Sequence, residues 1–230
     1  MTLDSLIDDF ALRSFCDQAD EDYISARLSF RAALVTPSLW ASHQMVEKYL
    51  KCILLLNRID GRHVWHDLRA ALDLIEKSGK LHLGLTAPTR SLIGYLDALG
   101  KYRYLEISNV ASGKSLVGLD RAAWELRRYC SPDESVRRLT LRHGLLAPRF
   151  RIPGRHLEEI IDDRNNPARA PLLWRNAFFG YGRKRFVRVN SWFKATNSPL
   201  YLNPQILDEI LKYVYLQKDL IQAYRGHKTS

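Results

Sequence analysis

Apolar side chains recur at helical spacing through the first 130 residues. From Tyr23, the positions Tyr23, Ala26, Phe30, Ala33 and Leu34 follow the i, i+3, i+7 rhythm of an amphipathic helix. The Thr36-Pro37 step should end it, because the residue before a proline is pushed out of the helical region, and Ser38 is placed to cap a second helix near Leu39. In that helix Met45, Val46, Tyr49, Cys52, Ile53 and Leu56 make one apolar face, with His43, Gln44, Glu47, Lys48 and Lys51 opposite. A turn over Asn57 to Gly61 leads to a third helix after His66-Asp67, its acidic start suited to the helix dipole. A fourth is expected from about Pro88 to Leu99, and a fifth from about Leu119 to Tyr129. The small, polar stretch Ser108 to Gly118 reads as a loop.

The pattern loosens beyond residue 130, where Pro148, Pro153, Pro167 and Pro171 cut the chain into pieces. Residues 155–164 suit a short helix, Lys184 to Phe193 a strand, a hairpin or an extended arm, and a last helix should start after Asn203-Pro204. No internal repeat is visible. The expected architecture is all-α, an antiparallel up-and-down bundle over residues 1–130. Beyond it lies a basic, partly irregular C-terminal extension over 131–230, ending in a helix and folding back on a face of the bundle that the sequence does not identify.

Composition adds a charge asymmetry. The 230 residues carry a formal net charge of +10. Basic and acidic side chains number 11 and 13 in residues 1–100, 24 and 12 in residues 101–230, and 14 and 4 within residues 135–195. One segment therefore holds the whole excess. It is mostly arginine, whose guanidinium fork matches phosphate oxygens, and it is interleaved with aromatics able to stack on bases. The tract Gly180-Tyr181-Gly182-Arg183-Lys184-Arg185 sets flexible glycines beside three cations and suits a phosphate backbone; it equally suits a plain basic loop. Arg127 and Arg128 end the fifth helix, where cations answer the dipole or meet RNA. The three cysteines are far apart with no Cys-x-x-Cys pair, so neither a disulfide scaffold nor a metal site is expected. An acidic N-terminus and the lack of an apolar run near 18 residues predict a cytoplasmic protein without a membrane anchor. No phosphate-binding glycine loop, zinc-protease helix or nucleophile elbow is present, and no cofactor is expected.

Two strings bear a resemblance to a known family. Residues 22–57, DYISARLSFRAALVTPSLWASHQMVEKYLKCILLLN, and then His66-Asp67-Leu68, resemble the HEPN domain, the nucleotide-binding domain of higher eukaryotes and prokaryotes. The motif positions are Gln44, Glu47, Lys48, Leu50 and Lys51 in one helix, then His66, Asp67 and Leu68. KYRYLEI at 101–107 is similar to the family's segment before its last helix, and the likeness covers about residues 17–130. The resemblance implies a helical bundle that pairs into a homodimer and binds nucleotide or RNA. It also implies, in many members, metal-independent ribonuclease activity in toxin-antitoxin or phage-defence systems, through an Arg with a His four to six residues later.

Here the sequence departs from the family. Counting from Arg103, the best-matching position, the required spacing falls on Ser108, Asn109 and Val110. Pairs elsewhere fit, among them Arg58 with His63 and Arg138 with His143, the latter being the catalytic candidates. Arg103, flanked by Tyr102 and Tyr104, is a candidate phosphate contact or a bridge to Glu106. Glu47 and Lys51 are spaced as a surface ion pair or as part of a dimer cleft, and His66 as a helix-start residue or a ligand contact. Three readings are open: a non-catalytic nucleotide- or RNA-binding protein, a metal-independent endoribonuclease, or an adaptor that docks on a cognate partner protein.

Overall fold

A computed structural model describes residues 2–100, 109–131, 155–179, 193–196, 199–212, 215–216 and 218–226. Among them lie α1 (Leu3–Ala11), a π-helical turn (Leu12–Cys16), α2 (Asp17–Arg31), α3 (Val35–Leu56), α4 (Leu68–Lys77), α5 (Ala87–Leu99) and α6 (Gly113–Arg127). Each helix from α2 to α6 packs on its neighbour in the chain, except that α6 rests on α5 and α3 together. Among the described residues the fold is all-α but for one short ribbon, in which β1 (Asn109–Ser112) pairs antiparallel with β2 (Phe193–Thr196), Asn109 opposite Thr196. No described helix is long and apolar enough to cross a membrane.

Local chemistry explains where the helices differ from expectation. The α2 helix stops at Arg31 because Ala33 turns into the left-handed region, φ +59°. Pro37 therefore falls inside the first turn of α3, where a backbone N–H would have no partner anyway. Ser38 is then no cap; its hydroxyl donates to the Ala26 carbonyl at 3.0 Å and fastens α2 to α3. Asp67 does cap α4, accepting from the Ala70 N–H at 2.7 Å, and Asp97 on α5 accepts from Leu68 N–H at 2.8 Å. The α6 helix starts six residues before Leu119, because Ser112 and Ser115 form a reciprocal capping box. The stretch expected to be a loop thus holds β1 and this helix start. The strand anticipated over 184–193 lies almost wholly outside the described residues, its last residue opening β2. The last helix is broken into a 3-10 turn (Pro204–Ile206), α10 (Leu207–Ile210) and α11 (Lys218–Gly226), with α9 (Pro199–Leu202) before them. Their Leu207, Leu216, Leu220 and Tyr224 form a small cluster of their own.

Helices α7 (His156–Asp162) and α8 (Arg169–Leu173) settle which face the extension covers. Leu157, Ile160, Ile161 and Leu172 join the main core, and both helices lie on α2. Two buried ionic nodes sit in that interface. In one, Arg127 donates to Asp20 on α2 at 2.8 and 3.0 Å and to both carboxylate oxygens of Glu158 on α7 at 2.9 and 2.7 Å, while Tyr49 donates to Asp20 at 2.6 Å. In the other, Arg27, 0% exposed, pairs with Asp120 and donates to the carbonyls of Pro171 and Trp174; Tyr23 donates to Asp120 at 2.7 Å.

Arg127, one of the cations the sequence offered as an RNA contact, is instead buried, and all three of its guanidinium nitrogens donate inside the fold. Arg128 is also buried, lying over the Trp124 and Tyr129 rings and donating to the Gly84 carbonyl at 2.8 Å. Removing one partner of a buried, hydrogen-bonded ion set strands the others. Arg127→Ala should accordingly lower unfolding free energy by about 3 to 5 kcal/mol in urea titration. A variant as stable as wild type would show that the node is not structural.

Candidate functional site

The polar face of α3 is less open than its pattern suggested. His43 is 3% exposed and Glu47 6%, because the 57–67 loop and the end of α5 close over them. His43 stacks on Trp40, and its ring fills the space beside Gly100, where a Cβ would fall 2.4 Å from Nε2. Glu47 is the centre of the cluster. Lys51 Nζ lies 2.6 Å from its carboxylate, His66 Nδ1 3.0 Å, Gln44 Nε2 3.5 Å and His43 Nδ1 3.9 Å. Burial pushes the Glu47 carboxyl upward, but hydrogen bonds and charge from Lys51 and His66 outweigh it and hold the group below its ordinary value.

Three motif residues from two separate segments, Gln44, Lys51 and His66, thus converge on the carboxylate of a fourth, Glu47. Two more motif residues serve its frame: Lys48 pairs with Asp22 on α2 at 2.5 Å, and Asp67 caps α4. His66 is 66% exposed in its side chain. With Nδ1 held by Glu47, the ring is oriented and Nε2 is the nitrogen left for other chemistry, as donor or as base. Arg103, Arg138, His143, Arg183, Lys184 and Arg185 lie outside the described residues.

The neighbour of His66 escaped the sequence reading. Trp65 is 75% exposed and stands at φ +43°, a conformation that costs a bulky aromatic about 1 to 3 kcal/mol and that collects at functional sites. The loop is built to hold it there. Val64 N–H and Asp67 N–H close turns onto the Gly61 and Val64 carbonyls, and Gly61 lies so near α3 that a Cβ would meet Leu54 at 2.9 Å. Trp65 forms one wall of a pocket of ≈ 460 Å³ with Phe10, Phe15, Leu54 and Ile59, and Lys51 and Arg62 also line it. Phe10 and Phe15 meet edge to face at 6.0 Å. The spacing of Leu3, Leu6 and Phe10 already had the i, i+3, i+7 form of an amphipathic helix, the one signal that pointed to this wall. A second pocket of ≈ 370 Å³ opens between α3, α5 and α6, but the Ser38 and Ser42 hydroxyls on it are turned to backbone carbonyls.

The match to known families falls on this region. Residues 12–106 match the model of the HEPN domain. The chain contains a HEPN domain. No curated protein and no solved structure matches it. The matched span runs from the π-turn past the end of α5, so the Glu47 cluster and the Trp65 loop both lie within the HEPN domain.

Because the folded Glu47 carboxyl is held below its ordinary value of 4.5, its stabilising bonds are fully present above that pH and are lost as pH falls through the folded value. Wild type should exceed Glu47→Gln in stability by about 1 to 2 kcal/mol at pH 7. In thermal melts this gap should close as pH drops below 4.5. A gap constant from pH 7 to 3 would mean that the carboxylate charge is not what holds Lys51 and His66.

Proposed function

We propose that this HEPN domain binds nucleotide or RNA at the face formed by Trp65, His66 and Lys51, without a metal cofactor. The observation that carries the reading is the strained, exposed Trp65 beside a histidine oriented by a buried carboxylate. An exposed indole offers a stacking surface that accepts any base, and stacking contributes about 1 to 3 kcal/mol per base. The outward edge of His66 would meet a phosphate or sugar oxygen. The basic tract Arg183-Lys184-Arg185 would track the backbone further along, giving binding its salt dependence. The proposal includes a homodimer, as the family resemblance implies, and a place in the cytoplasm.

A second reading, a metal-independent endoribonuclease, is favoured by the Glu47–His66 pair itself. A carboxylate on Nδ1 leaves Nε2 able to take the proton of a ribose 2′-hydroxyl as that oxygen attacks the adjoining phosphate. Arg138 and His143 remain the alternative pair for that chemistry. The adaptor reading would require tight protein association without affinity for RNA.

Purified protein incubated with labelled RNA in EDTA, at two salt concentrations, distinguishes these readings. Binding should appear as a salt-sensitive shift that Trp65→Ala weakens about 5- to 150-fold. Replacing Arg183, Lys184 and Arg185 by alanine should flatten the log–log salt slope by about 2. Cleavage in EDTA that vanishes in His66→Ala would establish the ribonuclease. Neither shift nor cleavage, with wild type folded, would end both readings.

A further inference from the structure

After α8 the chain crosses α2 and α6 as a short segment, Trp174 to Phe179, in which Arg175 is the only charged residue. The segment is fastened from the core side. Arg27 donates to the Trp174 carbonyl. Asn176, 2% exposed, donates to the Tyr23 hydroxyl and to the Leu172 carbonyl at 2.9 Å each, and its side-chain oxygen accepts from the Phe178 and Phe179 N–H groups at 3.0 and 3.1 Å. Held on both sides, Arg175 stands at φ +52°, in the left-handed region that residues with a long side chain seldom enter and that collects at functional sites.

The rings of this segment gather guanidinium groups. Arg31, exposed at the end of α2, lies 5.5 Å from the centre of the Trp174 ring, and Arg175 lies 5.0 Å from the same ring. Arg121 on α6 lies 5.8 Å from the centre of the Phe178 ring. Trp174, Arg175, Phe178 and Arg121 are all half-buried, so each keeps part of its surface in solvent. None of the three arginines pairs with a carboxylate among the described residues, whereas Arg27, one turn before Arg31, is wholly engaged with Asp120 and two carbonyls. Three cations assembled without an acid repel one another, a cost that a bound anion removes. A guanidinium over a ring gives up one face and keeps its edge, where the N–H donors lie. That edge matches a phosphate bidentately. It matches a carboxylate as well, but the interleaved rings favour a ligand that carries a planar group at every repeat, as RNA does and an acidic peptide does not.

We infer that the Trp174–Phe179 segment, with Arg31 and Arg121, is a second surface for single-stranded RNA, holding phosphates on the guanidinium edges and bases against the half-exposed planes. Apart from Arg31, its residues lie outside the span that matches the HEPN domain. It shares the ligand of the reading above and rests on it to that extent, but uses none of Trp65, His66 or Lys51.

Full-length protein titrated in EDTA with a labelled oligouridylate of about 12 nucleotides, at several salt concentrations, tests this directly. Arg31→Ala combined with Arg175→Gly, glycine being at ease at φ +52°, should flatten the log–log salt slope by about 1.4, the value for two phosphates on a single strand. Arg121→Ala alone, on a helix surface, should flatten it by about 0.7 and gives an independent reading if the first variant does not fold. Arg31→Lys should keep the slope and weaken binding, since charge is retained and the fork is lost. Trp65→Ala should weaken binding with the slope unchanged, so the failure of that face and of this one are read separately. Wild-type slopes in both the Arg31/Arg175 and the Arg121 variants, or wild type that does not bind the oligonucleotide, overturn the surface. Variants that lose affinity for polyglutamate but not for oligouridylate would assign it to an acidic protein and overturn it too.

Discussion

The guanidinium of Arg127 is the point at which three helices are made to agree. It stands at the end of α6 and donates to a carboxylate on α2 and another on α7, while Tyr49 of α3 completes the Asp20 oxygens. A charge taken so fully out of water persists only if every donor has a partner. The partners must then be placed to within tenths of an ångström, and with them the helices that bear them. The Arg27 node repeats the arrangement further along α2, using the backbone carbonyls of Pro171 and Trp174 as acceptors. Apolar burial supplies the driving force for packing α7 and α8 on α2, while these two cations fix the register at which the packing occurs.

A similar economy holds at Glu47, with the opposite exposure. There a single buried carboxylate gathers Lys51 from its own helix and His66 from a loop 19 residues on. The carboxylate is inside and the groups it orients face out. The loop between them places an indole in solvent by accepting a backbone conformation that bulky residues avoid. A surface that needed only solubility would not require such a constraint.

Much of the bundle was legible because its helices obey period and capping rules that act within a few residues. Asp67 before Leu68, Pro88 at the start of α5 and the apolar face of α3 all read correctly for that reason. The features that were not legible depend on distant partners. Val110 and Ala111 become strand only because residues 193–196 pair with them. His43 and Glu47 look solvent-facing on a helical wheel and are covered by a loop and by Gly100. Arg127 at a helix end resembles any dipole-answering cation until Asp20 and Glu158 arrive from 107 and 31 residues away. The motif residues of the site were legible as a set, since their order along the chain marks the family. Trp65 was not, because a lone aromatic in a turn has no local pattern.

The pairing of β1 with β2 bears on the order in which the chain can fold. During synthesis the helices up to α6 emerge first, with Arg127 able to find Asp20 but not Glu158, and Arg27 able to find Asp120 but neither Pro171 nor Trp174. The bundle at that stage holds two half-satisfied cations and an unpaired strand at its edge, features that favour a loose, reversible collapse over a committed structure. Pairing residues 193–196 with β1 closes a loop about eighty residues long, a non-local contact that costs chain entropy. The partners that the first six helices leave unmet, for Arg127, Arg27 and β1, are thus all supplied from beyond residue 155, by Glu158, the Pro171 and Trp174 carbonyls and residues 193–196.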